Sequence, residues 1–306
     1  MLGRTARLYY EHGYTHQQIA DTLGLSRVKV TRMLAEARRK GIVEIKIHSD
    51  ETIFTDLEVA LCERFELQSA WVSPTVDDRE GQLNALGILG ATALEAVVTS
   101  PMTIAVGLSE TVGRIAAHVR ADAPTGALFV AATGNRLGNG EWIQPTEAAR
   151  SLAGAFGGTW QQLPAPLVAS NERSAAHLKA EPVVADALAK SRSADVAVFG
   201  IGGLLPGSGI IMDEPGSLKL LQRLANAGAV GNISAGFFDS SGRPIDTPLN
   251  ERIIGVTLAE LEQVPIRVAV AGGRNKEAAL AGTLAGRYAT VLVTDERNAR
   301  ELLAAH

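Results

Sequence analysis

Apolar residues recur along this chain with two different periods, and the change from one to the other divides it into a short helical head and a long alternating body. In the head, Arg4 to His12 reads as a helix with Leu8 and Tyr9 available to a small core, ended by Gly13. A second helix follows Thr15, with Ile19, Ala20 and Leu23 on one side, and a third follows Ser26, with Val30, Met33 and Leu34. Gly24 supplies the turn between them. Ile42 to Ile47 then alternates Val43, Ile45 and Ile47 with Glu44 and Lys46, which predicts a short strand or wing. Asp50 to Leu67 returns to helical spacing through Phe54, Leu57, Leu61 and Phe65. Such a linker helix either pairs two subunits or packs on its own body. From Ser69 onward short apolar runs alternate with longer helical ones. The strands expected are Ala70 to Val72, Met102 to Val106, Leu128 to Ala132, Val196 to Phe199, Ile266 to Ala271 and Thr290 to Thr294, with helices that include Gln82 to Val98 and Lys276 to Leu284. That alternation predicts a largely parallel sheet covered on both faces.

The stretch Thr15 to Lys40 has the form of a helix-turn-helix. Thr15 and Gln18 have the spacing of a capping box, and Ser26 suits the cap of the second helix of the pair. At about 100° per residue, that helix turns Val28, Thr31 and Arg32 away from Val30, Met33 and Leu34, with Arg27 and Lys29 flanking them. Arginine suits guanine edges or phosphate, threonine can hydrogen-bond a base, and an outward valine can meet a thymine methyl. Gln17, Ser26, Arg27, Val28, Lys29, Thr31 and Arg32 are therefore the candidate DNA-contacting residues. The alternative is an amphipathic helical hairpin with a solvated charged face.

Charge sharpens this reading. Residues 1–47 hold nine Lys or Arg against four acids, a net +5, so the rest of the chain carries −9 within an overall −4. A basic head on an acidic body favours phosphate contact at the head. At 306 residues, with 46% hydrophobic and 20% charged side chains, the chain is long enough for a small domain plus one full-sized core. Cys62 is the sole cysteine, which excludes an intrachain disulfide and suits a reducing compartment. No signal-peptide pattern or bilayer-length apolar run is present, so a cytoplasmic protein without membrane partners is expected. His12, His16, His48, His118, His177 and His306 lack metal-ligand spacing, and no metal or cofactor is expected.

Four of the expected strands end in glycine-bearing turns: Gly107-Leu108-Ser109-Glu110-Thr111, Thr133-Gly134-Asn135, Gly200-Ile201-Gly202-Gly203 and Gly272-Gly273. The carboxyl ends of parallel strands share one edge of a sheet, so these turns can line a single crevice for a small molecule.

With these features in hand, the chain resembles the SorC family of bacterial transcriptional regulators. The resemblance rests on the helix-turn-helix, PAPLVAS from Pro164, ADVAVFGIGG from Ala194, GAVGNISAGFFDSSGRPIDTPLNERIIG from Gly228 and VAVAGGRNKEAALAGTLAGRYATVLVTDE from Val268. It implies a winged helix-turn-helix head and a Rossmann-like, mostly parallel α/β effector domain related to sugar-phosphate isomerases and deaminases. It further implies a homodimer or homotetramer whose affinity for double-stranded operator DNA responds to a sugar, polyol or sugar phosphate. Carried across by position, the effector residues implied are Gly107, Ser109, Glu110, Thr111, Thr133, Gly134, Asn135, Gly202, Asp239, Asn250 and Lys276. Three positions depart from the family pattern. Ser109-Glu110-Thr111 stands where many members carry an Arg-bearing segment, Thr133-Gly134 where Gly-Gly is common, and Gly231-Asn232-Ile233 where Gly-Asp-Ile is usual. An acid in place of an Arg argues for a polyol or neutral sugar over a strongly phosphorylated one.

Each residue also has a structural reading. Asp239 and Asn250 flank a turn-rich SSGRP stretch and can close loops through side-chain to backbone bonds, Glu110 can be a helix-dipole acid and Lys276 a solvated charge. The expected domains are residues 1–49 for DNA binding, 50–67 for the linker helix and 68–306 for the effector. An isomerase-like enzyme and a purely architectural DNA binder are the rival classes, set against the absence of a nucleophile and base motif and the presence of the large pocketed body.

Overall fold

The computed structural model describes residues 1–10, 12–40, 42–43, 54–120, 124–136, 143–204 and 217–305, and the chain separates into compact units of residues 1–53 and 54–306. The first unit holds α1 (Leu2–Tyr10), α2 (His16–Leu23) and α3 (Arg27–Arg39). Ile19, Ala20, Val30 and Leu34 are buried together, with Leu8, Leu23 and Leu25 packed around them. Tyr9 is not part of that core: it is exposed, edge-on to Tyr10 and tilted against the His16 ring. Ile42 and Val43 form a bend, and the remainder of the expected wing lies outside the described residues.

The second unit runs α4 (Thr55–Phe65), β1 (Ser69–Ser73), α5 (Arg79–Val97), β2 (Thr103–Val106), α6 (Glu110–Ile115), β3 (Leu128–Ala131), α7 (Pro145–Ala155), β4 (Thr159–Gln161), α8 (Glu172–Ala180) and α9 (Pro182–Arg192). It continues through β5 (Val196–Gly200), α10 (Ser217–Asn226), β6 (Ala229–Ile233), β7 (Gly236–Asp239), α11 (Leu258–Glu262), β8 (Ile266–Val270), α12 (Glu277–Ala285), β9 (Val291–Asp295) and α13 (Glu296–Ala304). Seven strands pair in the order β1-β9-β8-β5-β2-β3-β4, every pair parallel. β6 and β7 form a separate antiparallel hairpin that the period of apolar residues does not announce.

Side chains of successive strand residues point to opposite faces, and the core splits accordingly. Val196, Val198, Val268, Val270, Val291 and Val293 meet Leu86 and Leu94 of α5, Val112 and Ile115 of α6 and Leu152 of α7. Ala197, Phe199, Ala269 and Leu292 meet Leu61 of α4, Leu280 of α12 and Ala299 and Leu302 of α13. Both faces of the central strands are dry, which is why β5 and β9 are buried at every position.

The helix that opens this unit settles a question left open by its sequence. Leu61 is fully buried, and Phe54, Leu57 and Phe65 pack on the same core cluster, so the apolar stripe of α4 is used on its own body. The expected helix over residues 50–67 spans Thr55–Phe65, and the unit boundary falls between Ile53 and Phe54. Glu58 fastens α4 further, its Oε1 accepting the Val72 amide at 2.9 Å. Burial pushes the Glu58 carboxyl up from its ordinary pKa, against the lowering effect of that bond.

Candidate functional site

In the head, local hydrogen bonds fix the geometry of the helical pair. Thr15 Oγ1 accepts the Gln18 amide at 3.3 Å while Gln18 Oε1 accepts the Thr15 amide at 2.9 Å, closing a capping box at the start of α2. Gly24 ends α2 in the left-handed region at φ 64°, where a side chain would be strained. Ser26 Oγ then accepts the Lys29 amide at 3.3 Å and caps α3. With Val30 and Leu34 anchored inside, Ser26, Arg27, Val28, Lys29, Thr31 and Arg32 are exposed on α3, and Gln17 is exposed on α2. Val28 is 64% exposed, a large apolar residue facing water beside three cations. Three of these side chains are already engaged, Ser26 as the cap of α3 and two others in side-chain bonds. Thr31 Oγ1 donates to the Arg27 carbonyl at 3.1 Å and lies 3.2 Å from His16 Nδ1, and Gln17 Nε2 donates to Asp21 Oδ1 at 2.9 Å. Arg27, Val28, Lys29 and Arg32 remain as exposed candidates for DNA contact.

In the body, a cleft of about 620 Å³ opens at the carboxyl edge of the sheet, a volume suited to a small polyhydroxylated molecule. The turns after β2, β5 and β8 supply Ser109, Glu110 and Thr111, Gly200 to Gly203, and Gly272 to Arg274 with Lys276. The ends of β1 and β9 contribute Asp77, Asp78, Arg79 and Arg297, and the hairpin contributes Asn232 and Ser234. Asp78 Oδ1 caps α5 by accepting the Gly81 amide at 2.7 Å, and Ser109 Oγ caps α6 through the Val112 amide at 3.2 Å. Gly202 and Asn232 exchange backbone bonds of 2.8 and 2.9 Å, and a Cβ on Gly202 would meet the Asn232 amide at 2.5 Å. Any larger residue here would have to displace the Asn232 side chain.

Five cationic side chains, Arg79, Arg136, Arg274, Lys276 and Arg297, line the cleft with three carboxylates, Asp77, Asp78 and Glu110. Arg79 pairs with Glu110, while Asp77 lies 3.4 Å from Arg274 and 3.7 Å from Arg297. Lys276 differs from these. Its Nζ donates to the Ile201 carbonyl at 2.6 Å, no described carboxylate pairs with it, and burial lowers its pKa from the ordinary lysine value. The turn carrying Arg274 and Lys276 is clamped from below. Asp295 Oδ2 accepts the Gly273 amide, and Asn298 Nδ2 donates to the Gly273 carbonyl at 3.0 Å, with both side chains fully buried.

Not every residue expected at the pocket lines this cleft. Ser109, Glu110, Thr111, Gly202 and Lys276 do, whereas Gly107, Thr133, Gly134, Asn135, Asp239 and Asn250 are placed elsewhere. Gly107 ends β2 against Phe199, its amide bonded to the Val198 carbonyl at 2.8 Å. Thr133 to Asn135 are stitched by backbone bonds to Ile254 and Ala165, and Gly134 packs on the Pro166 carbonyl so tightly that no Cβ fits. Asp239 closes its own turn, Oδ1 accepting the Ser241 and Arg243 amides at 2.8 and 2.9 Å, and those bonds, with the Arg243 charge, hold its carboxyl below the ordinary value. Asn250 is exposed and bonds Thr247 Oγ1 at 2.7 Å. Residues not anticipated include Asp77 to Arg79, Gln82, Arg136, Ser234, Arg274 and Arg297. For Asp77 to Arg79, Gln82 and Arg297 the signal is the same edge rule applied to strand ends that lack glycine, Ser73 and Asp295, whereas Arg274 directly follows Gly273 and Ser234 comes with the hairpin.

Comparison with known proteins agrees with this two-part layout. The "Putative sugar-binding domain" family matches residues 51–304, and the Crp-like helix-turn-helix domain matches residues 3–59. The transcriptional regulator LsrR of Escherichia coli (strain SMS-3-5 / SECEC) is 32% identical over 309 residues, covering 99% of this chain and 94% of that protein. The full-length sorbitol operon regulator SorC from Klebsiella pneumoniae superposes with a TM-score of 0.77 at 25% identity, over 99% of this chain and 98% of the other. The chain belongs to the SorC family of transcriptional regulators. A sugar-binding domain from a Vibrio fischeri transcriptional repressor, 27% identical with a TM-score of 0.75, covers 81% of this chain and 98% of its own. This SorC-family chain is thus a sugar-responsive DNA-binding regulator with a helix-turn-helix and a sugar-binding domain. No helix among the described residues is long and apolar enough to cross a membrane, and no described cluster of His, Cys, Asp and Glu has the arrangement of a metal site.

Proposed function

We propose that the effector is a phosphorylated sugar or polyol, that its binding in the carboxyl-edge cleft changes operator affinity without chemical turnover, and that two or more copies combine to read paired half-sites. The observation that carries the choice of ligand is Lys276, a half-buried ammonium with no described carboxylate beside it. A buried cation is costly until an anion pairs with it, so a phosphate at this point recovers the cost that burial imposes. Glu110, which in the sequence argued for a neutral ligand, is neutralised by Arg79. Polar groups of Gln82, Asn232 and Ser234 supply donors and acceptors for hydroxyls.

The deciding experiment is calorimetry with matched pairs of free and phosphorylated sugars and polyols. Tight binding confined to phosphorylated members, weakening as pH rises through the lowered Lys276 range, is the expected result. Equal binding of the neutral partners returns the reading to a polyol. A turnover assay on the same compounds checks that the body is no isomerase, and light scattering with and without DNA checks that it assembles.

A further inference from the structure

α13 has one end in the effector cleft and the other on the helix through which the chain leaves the DNA-binding unit. At its start, Arg297 lines the cleft, 3.7 Å from Asp77, and its amide donates to Thr75 Oγ1 at 3.0 Å. Asp295 and Asn298 of the same turn grip the N–H and the carbonyl of Gly273, which ties the turn bearing Lys276 to the start of α13. At the far end, the last carbonyls of a helix have no partner within it. Here they are taken by α4: Arg64 Nη1 donates to the Leu303 carbonyl at 2.7 Å, and Nη2 to the Ala305 carbonyl. Between the two ends Ala299 and Leu302 are buried in one cluster with Leu61 of α4.

From this arrangement we propose that α13 carries effector occupancy to α4, with Arg64 as the coupling residue that fastens the two helices. This rests on the reading of the cleft as an anion site. A ligand shifts an equilibrium only through contacts that differ between two states. An anion entering the cleft supplies such a difference, because it competes with Asp77 for Arg297 and Arg274. A nine-residue helix is stiff at this length, so a displacement at its first turn reaches its last. There the polar grip is that of Arg64, whose helix leads directly to residues 1–53. The rest of α4, held by Leu61 and by Glu58 on Val72, sets the fulcrum.

The test is hydrogen exchange on the full chain, comparing the native protein with Arg64→Gln and Arg64→Lys, with orthophosphate and glucose 6-phosphate as the added anions. In the native protein, the anion slows exchange across Gly272 to Lys276 and the first turn of α13, and changes exchange of the α4 amides by about fivefold or more, the lower end of ordinary coupling. In Arg64→Gln, protection at the cleft persists while the α4 response disappears. Arg64→Lys, which keeps a cation at the helix end, restores part of it. Arg64 is exposed, so neither change is expected to unfold the protein, and circular dichroism confirms this. Cleft protection with no α4 response in the native protein, or with an equal response in Arg64→Gln, overturns the coupling and leaves the anion site standing. Absence of cleft protection with either anion overturns the anion site instead. The coupling is then decided without ligand by Arg297→Gln, which alters α4 exchange when Arg64 is present and not when Arg64 is Gln. Independent effects of those two changes overturn it.

Discussion

In the head, the outward-facing side chains from Arg27 to Arg32 are neighbours in sequence on one helix, and four buried residues hold that helix in place. In the cleft, Asp77, Glu110, Gly202, Lys276 and Arg297 come from five different strand ends, brought together by a seven-stranded sheet. The head trades a small core for a portable surface, whereas the cleft needs the whole body in register before any ligand contact exists. Loss of function should therefore look different in the two. In the head stability is the weak point, and in the cleft it is charge placement.

The sharpest way to break the comparison is Leu34→Ala. Removing a buried leucine costs about 2 to 5 kcal/mol, and a core of this size has little reserve. Calorimetry should show the head melting early while the main transition and effector binding remain, and a single lowered transition would mean that the two units unfold together. Next is Lys276→Ala, expected to weaken sugar-phosphate binding by about 1.5 to 3 kcal/mol, the value of a charge-assisted hydrogen bond. Asp239→Ala serves as its control, since that carboxylate is spent on its own turn and effector affinity should stay the same. Titration calorimetry of both variants reverses the placement of the site if the second loses binding and the first does not. Arg32→Ala should cost about 1 to 3 kcal/mol of operator affinity with effector binding intact, measured by gel shift at fixed salt. Lys29→Ala, by contrast, should weaken binding to every sequence and lessen its salt dependence.

The smallest effect concerns Glu58. Its pKa is raised in the folded protein, so the folded state binds the proton more tightly and this carboxylate's contribution is most favourable at acid pH and lost as pH rises through the raised value. Glu58→Gln keeps an acceptor for the Val72 amide without the charge. Its melting temperature should exceed the native value modestly at neutral pH, and the two should converge on acidification.

The same contrast explains what could be read before the structure. Strands buried on both faces, such as Val196 to Phe199 and Thr290 to Thr294, stand out as unbroken apolar runs. β4 did not, because Thr159 to Gln161 is a three-residue edge strand with its first two residues exposed. The β6–β7 hairpin was equally silent. Its turn places Ser234 and Ala235 at φ 49° and 70°, left-handed positions filled without the glycine or asparagine that marks such turns. At the cleft, the edge rule found the glycine turns yet passed over Asp77 to Arg79 and Arg297, which carry charge on turns of ordinary composition. Asp239 had the opposite fault. A carboxylate in Asp-Ser-Ser-Gly-Arg has the composition of a ligand contact and of a self-closing turn alike, and only the folded turn separates the two.

The strictly parallel sheet has a practical corollary for anyone building a sensor from this protein. The cleft is lined from the edge where the strands finish and from the hairpin, so the turns where the strands of the large sheet begin lie away from it. Ser193, exposed in the turn that feeds β5, is such a place. A fluorescent reporter spliced there would sit on the shared scaffold of the cleft without standing in the ligand's way, and would turn the regulator into a meter for the metabolite it answers to.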